Sequence, residues 1–141
     1  MNKYLIGFIA GFIATVILSL LMMLKAQMGL MPEFNVISDF SQFFKTESPI
    51  VGWIIHFIIG SIIWGGLFAL FLPFLKGAFW IKGIFFGIIA WLLMMVAYMP
   101  VMGHRTFAIE LGVQVIMATL VLHIIYGFVL GLSYGFLSKK I

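Results

Sequence analysis

The sequence contains no cysteine. That absence removes disulfides, zinc–thiolate sites, iron–sulfur clusters and cysteine nucleophiles together. Charge is almost as scarce: 9% of residues are charged and 65% are hydrophobic, whereas soluble domains sit near a quarter charged and half apolar. Only four acidic side chains occur, Glu33, Asp39, Glu47 and Glu110, and none lies well inside a long apolar run. A proton-coupled cation exchanger would want a carboxylate at mid-membrane, so that class is disfavoured. No glycine-rich phosphate loop, nucleophile elbow or His-Glu-x-x-His zinc pattern is present. Nothing therefore identifies an enzyme. Proline is limited to Pro32, Pro49, Pro73 and Pro100, and each falls at the edge of an apolar run.

What fills the chain instead is apolar. In 141 residues no soluble core could bury so much hydrophobic surface, but a bilayer can. The length fits one domain, 1–141. A membrane-spanning helix needs roughly 20 apolar residues, and four such runs are present, at about 4–24, 50–72, 81–99 and 107–137. Ser48-Pro49 reads as a cap and first helical turn, and Pro73 and Pro100 as helix ends. The first run exceeds a signal-peptide core and no small-x-small cleavage site follows it, so it is expected to be retained. The pI of about 9.6 reads as membrane topology, because the basic residues lie singly or in pairs between apolar runs. Nucleic-acid binding is not expected.

Orientation follows from lysine and arginine. With four spans, one side carries Lys3, Lys76, Lys82, Lys139 and Lys140 and the other Lys25, Lys45 and Arg105. This places both termini in the cytoplasm, in a bacterial inner membrane. The long first loop carries Phe34, Val36, Ile37, Phe40, Phe43 and Phe44 at helical spacing, with polar residues between them. It predicts an interfacial amphipathic helix over about 32–45, starting at Pro32, that caps the bundle.

The two halves of the chain repeat. Ser19-Leu20-Leu21-Met22-Met23 matches Trp91-Leu92-Leu93-Met94-Met95, and His56-Phe-Ile-Ile-Gly60 matches His123-Ile-Ile-Tyr-Gly127. A two-helix unit occurring twice gives parallel repeats about an axis along the membrane normal. The expected fold is an all-α membrane protein, a four-transmembrane-helix bundle of two parallel helical hairpins plus the interfacial helix. Each span also carries a small-residue stripe at four-residue spacing: Gly7-Gly11-Thr15-Ser19, Gly52-His56-Gly60-Trp64, Gly83-Gly87-Trp91-Met95 and Thr119-His123-Gly127-Gly131-Gly135. Such stripes mark helix–helix contacts in lipid.

The chain resembles an uncharacterised family of small four-helix bacterial inner-membrane proteins. The resemblance lies in Leu20-Leu21-Met22-Met23-Leu24-Lys25, Met28-Gly29-Leu30-Met31-Pro32, Gly52-Trp53, His56-Phe57 and Leu122-His123. It extends over nearly the whole chain and implies fold and membrane location, not activity.

His56 and His123 are the candidates for chemistry, because ionisable residues inside a membrane are expensive. They lie 17 and 16 residues before Pro73 and Lys139, so their depths match at roughly 25 Å from the cytoplasmic end. In an up-down bundle the second and fourth helices are diagonal, which lets two imidazoles face each other. That arrangement suits axial ligation of haem b for electron transfer or redox sensing. Gly60 and Gly127 would spare bulk beside the macrocycle, and Arg105 and Lys25 would pair with propionates. Neutral imidazoles bonded to neighbouring helices are the plainer alternative. A second site reading is Cu(I), since thioether and imidazole ligands select it. Met22, Met23, Met94 and Met95 gather with His56, His123 and His104 toward the outer half, although methionine is also a common core filler. The third reading needs no cofactor: a non-catalytic accessory subunit or assembly factor, meeting other membrane subunits or its own copies. A small-solute transporter is less favoured, since no span is broken by a mid-helix proline.

Overall fold

The structure, a computed structural model, describes residues 2–32 and 34–139. The expectations made for Glu33 and Lys140 lie outside the described residues. The described residues form four long apolar helices, Lys3–Gln27, Pro49–Phe74, Phe79–Val101 and Val113–Lys139, and no strand. Each is long and apolar enough to span a bilayer. A short loop helix, Val36–Phe43, lies between the first and second spans. The bundle thus has a terminal end, with both chain ends and the short 74–79 connection, and a loop end bearing the long first loop.

Local chemistry sets the helix limits. Asn2 caps the first span by accepting from the Tyr4 amide at 3.0 Å. The loop helix begins at Val36 rather than Pro32, because Asn35 accepts the amides of Ile37 and Ser38 while Met31 takes a left-handed φ of 51°. The fourth span starts later than its apolar run. Phe107 and Ala108 have φ of 60° and 49°, and Gly112 turns the chain at φ 93°. The 107–111 segment folds over the loop end instead: Ala108 is fully buried and Phe107 meets Trp91 edge-on at 5.9 Å.

Two spans contain widened π turns, at Ile58–Trp64 and Met94–Tyr98. The second immediately precedes Pro100, whose ring would otherwise strike a carbonyl one turn back. In the first, Gly60 O accepts the Tyr126 hydroxyl at 2.6 Å, so one carbonyl of the widened turn bonds outside its own helix.

Glycine closes each hairpin. A Cβ on Gly7 would strike Gly65 O, and one on Gly11 would lie 2.8 Å from Gly60 O and Ser61 O. In the second hairpin a Cβ on Gly83 would strike Gly127 O and one on Gly87 would strike His123 O. The hairpins join each other where the first and fourth spans pack together and through a core of small and large side chains toward the terminal end. Ile6, Ala10, Ala14, Phe68, Ala69, Phe86, Tyr126, Leu130 and Tyr134 form this core, with Phe68 at 5.3 Å from the Phe86 ring and 5.5 Å from that of Tyr134. A second layer of Met31, Phe34, Met95, Met99, Ala108 and Val115 closes the loop end.

Replacing Gly83 by isoleucine is expected to cost about 1–3 kcal/mol, since backbone cannot yield as a side chain can. Ile62→Leu on the lipid face, where Ile62 is half-exposed, should stay within about 0.5 kcal/mol. Unfolding titrations in detergent compare the two, and equal stabilities would refute the glycine contact as the closure.

Candidate functional site

Between the two packed layers the hairpins part around a cavity of about 740 Å³. All four spans contribute. Thr15 and Met22 come from the first, Trp53, His56 and Trp64 from the second, Ala90, Met94 and Ala97 from the third, and Thr119, His123 and Tyr126 from the fourth. The loop helix and its lead-in, from Met31 to Phe40, complete the loop-end wall. No aspartate or glutamate is among the described lining residues.

Hydroxyl groups in lipid must find partners within the protein, and here they turn to backbone carbonyls one turn back. Thr15 donates to Gly11 O at 2.7 Å, Ser19 to Thr15 O at 2.7 Å and Thr119 to Val115 O at 2.7 Å. Trp91 donates its indole N–H to Thr119 Oγ1 at 3.2 Å. Ser61 Oγ, in the π turn, is the buried side-chain polar atom without a partner among the described residues.

These bonds fix the imidazoles. His123 Nδ1 lies 2.8 Å from Thr119 O; a carbonyl only accepts, so Nδ1 carries the proton and Nε2 is the bare nitrogen of the neutral ring. His56 Nε2 lies 3.2 Å from Ser19 Oγ. The single Ser19 proton is committed to the shorter bond to Thr15 O, so His56 Nε2 donates and Nδ1 is bare. The two rings hold opposite tautomers.

The loop helix is fastened to the bundle at two places. At the second span, Ser41 Oγ donates to Ser48 O at 2.9 Å and accepts from the Gly52 amide at 3.0 Å. A Cβ on Gly52 would strike Ile37 O. At the other side Asp39 Oδ2 lies 3.1 Å from His104 Nε2 and accepts from Tyr98 at 3.4 Å. His104 Nδ1 is 3.4 Å from Glu110 Oε1. Glu110 also accepts the Arg105 amide at 2.9 Å, and that bond, with His104 beside it, holds its carboxyl below the usual range. Lys25 donates to Phe34 O at 3.3 Å.

The residues singled out from sequence divide. His56, His123, Gly60, Met22, Met23 and Met94 line the cavity. Gly60 leaves its space to the Thr15 hydroxyl, and Gly127 leaves its space to Gly83 O. Met95 is fully buried in the loop-end layer with Met31 and Met99, and Met23 is half-exposed on the outside of the bundle. Arg105 is exposed in the last loop, outside the cavity lining. Thr15, Thr119, Tyr126, Trp53 and Trp64 also line the cavity. In sequence the two threonines sit in the small-residue stripes and look like packing positions, and Tyr126 has no sequence signal of its own.

An all-helical bundle of four membrane-length helices, parted between two packed layers and covered by a loop helix, defines the class: a small polytopic membrane protein with a half-open cavity between its hairpins. The chain belongs to a family of unknown function, DUF6789, which it matches over residues 1–141. No curated protein and no solved structure matches it.

The Glu110 bond gives a local test. Because folding lowers the Glu110 carboxyl, what it adds to loop order is present above the ordinary carboxylate range and is lost as pH falls through the lowered value. Glu110→Ala should lower the protection of the Arg105 amide against exchange at neutral pH, and wild type should approach the same protection, relative to intrinsic exchange, only on acidification. Equal Arg105 exchange rates in the two proteins at neutral pH would exclude the bond.

Proposed function

We propose that the protein is a non-catalytic binding module of the bacterial cytoplasmic membrane, holding a lipophilic small molecule between its hairpins. The observation that carries this reading is the cavity itself. At about 740 Å³ it lies within the range of small-molecule sites, which are mostly apolar with a few placed polar groups. Its lining answers that description: methionine, leucine and tryptophan side chains surround two imidazoles and two threonines. Polar groups inside a membrane bundle mark functional positions by default.

Charge supports termini in the cytoplasm, with the cavity half toward the outer leaflet. Lys3, Lys76, Lys82 and Lys139 belong to the terminal end, the arrangement the positive-inside rule favours. The glycine contacts support two copies of one hairpin. Aligning Ser19 with Trp91 and His56 with His123 pairs Gly11 with Gly83 and Gly60 with Gly127, and Gly11 meets Gly60 as Gly83 meets Gly127.

Haem b is a second reading, favoured by both histidines lining one cavity. His123 has the anchoring of a metal ligand, Nδ1–H on a carbonyl with Nε2 bare. His56 fits less well, since its Nε2 is engaged by Ser19. The space at Gly60 and Gly127 is taken by helix contacts, and Arg105 is outside the lining. Purification from haem-replete cells decides it: a Soret band shifted by His123→Ala supports haem, and none removes it. Cu(I) rests on Met22, Met23 and Met94 beside the histidines, with Met95 apart. Changing all four to leucine with no change in bound copper would end that proposal. Association with other membrane subunits or a second copy rests on the small extramembrane portion, and native-gel mobility tests it.

The principal test uses Ala97→Phe, which fills the cavity from an exposed wall position. A brominated alkylbenzene should quench the indoles of Trp53 and Trp64 saturably in wild type and at least tenfold more weakly in the variant, at unchanged melting temperature. Equal quenching curves would overturn the reading. Topology is checked on the same cysteine-free background. Thr46→Cys should react with an impermeant maleimide on intact cells and Ser138→Cys only after lysis; the reverse pattern would invert the orientation.

A further inference from the structure

We infer that the cavity selects a lipophile bearing a free hydroxyl, such as a long-chain phenol, over one whose polar group only accepts hydrogen bonds. This rests on the binding-module reading above and specifies its ligand.

Every hydroxyl that lines the middle of the cavity has spent its proton inside the protein. Thr15 gives it to Gly11 O, Thr119 to Val115 O and Tyr126 to Gly60 O, all at 2.6–2.7 Å. Neither histidine has its N–H free, since His56 donates to Ser19 and His123 to Thr119 O. What each neutral ring retains is a lone pair, on His56 Nδ1 and on His123 Nε2. Neither bare nitrogen has a hydrogen-bond partner among the described residues. An imidazolium form has no compensating carboxylate among the described lining residues, so the imidazoles act through their lone pairs, while the donors on the wall are the Trp53 and Trp64 indoles, the Asn35 amide and the Lys25 ammonium. A lone pair calls for a donor from the ligand.

A carbonyl or ether cannot answer that demand. An ammonium can, but it would carry a charge into a wall with no anion. A hydroxyl supplies the proton at no charge, and its oxygen can still accept from an indole N–H such as those of Trp53 and Trp64 in the lining. The apolar remainder of the ligand meets Leu18, Met22, Leu93, Met94 and Leu122.

The test compares para-nonylphenol with its methyl ether, para-nonylanisole, on the full chain in nanodiscs by tryptophan quenching. The pair share ring and alkyl chain and differ at the O–H, so each affinity is referred to that ligand's own partition into protein-free nanodiscs. The phenol is expected to bind about tenfold more tightly, the size of one well-made hydrogen bond. His123→Phe should reduce that preference to less than about threefold, with His56→Phe as the second arm. Equal binding of phenol and ether by wild type would overturn the hydroxyl inference and leave the cavity reading standing. Binding of neither overturns both. A preference retained by both histidine variants would overturn the role given to the imidazoles. Because the wild-type comparison needs no variant to fold, the inference stays testable throughout.

Discussion

In lipid, apolar side chains gain nothing by leaving their surroundings for one another, so helices hold together through close contact and hydrogen bonds. The structure depends on how this protein meets that constraint. Gly7, Gly11 and Gly65 in one hairpin, and Gly83, Gly87 and Gly127 in the other, bring backbone onto backbone. Contacts of that kind leave no slack, and each hairpin behaves as a closed unit. Between the hairpins the first and fourth spans also pack closely, and Phe68, Phe86, Tyr126 and Tyr134 fill the space beside them toward the terminal end. Between that layer and the loop-end layer the facing positions include Thr15, Ala90, Ala97 and Thr119, whose side chains are too small to fill the space. The cavity follows from that difference in side-chain size.

The same constraint governs the polar groups. Without water, each donor must find an acceptor in the protein, and the nearest are carbonyls one turn back on the same helix. Thr15, Ser19 and Thr119 all take that course. Tyr126 reaches across to Gly60 O on the second span, where the helix widens into a π turn, a distortion common at functional sites. One side chain and one backbone carbonyl thus set the protons of two imidazoles: the Ser19 hydroxyl orients His56, and the Thr119 carbonyl orients His123.

Much of the site was legible as residue identity and little of it as geometry. His56 and His123 stand out because an imidazole is rare inside an apolar run, and both line the cavity. Gly60 and Gly127 stand equally near them in sequence, but what occupies the space beside a glycine depends on its neighbours, here Thr15 and the Gly83 carbonyl. Met94 and Met95 are adjacent in sequence yet face different surroundings, one the cavity and one the loop-end layer, because successive residues on a helix point about 100° apart. The fastening of the loop helix by Ser41, Asp39 and His104 joins segments far apart in the chain, and no local pattern announces it.

By itself the sequence determined the membrane-length helices, because an apolar run of that length has one stable form in a bilayer. It also limited the chemistry, by lacking cysteine and mid-span carboxylates. Where each helix ends was decided partly by local caps such as Asn2 and Asn35 and partly by tertiary contact, as where the 107–111 segment folds over the bundle instead of extending the fourth span. Only the tertiary structure decided that the bundle is packed at both ends and open between them, and which nitrogen of each histidine is bare. Both are sums over side chains from separate helices, and such sums exist only once the helices have met.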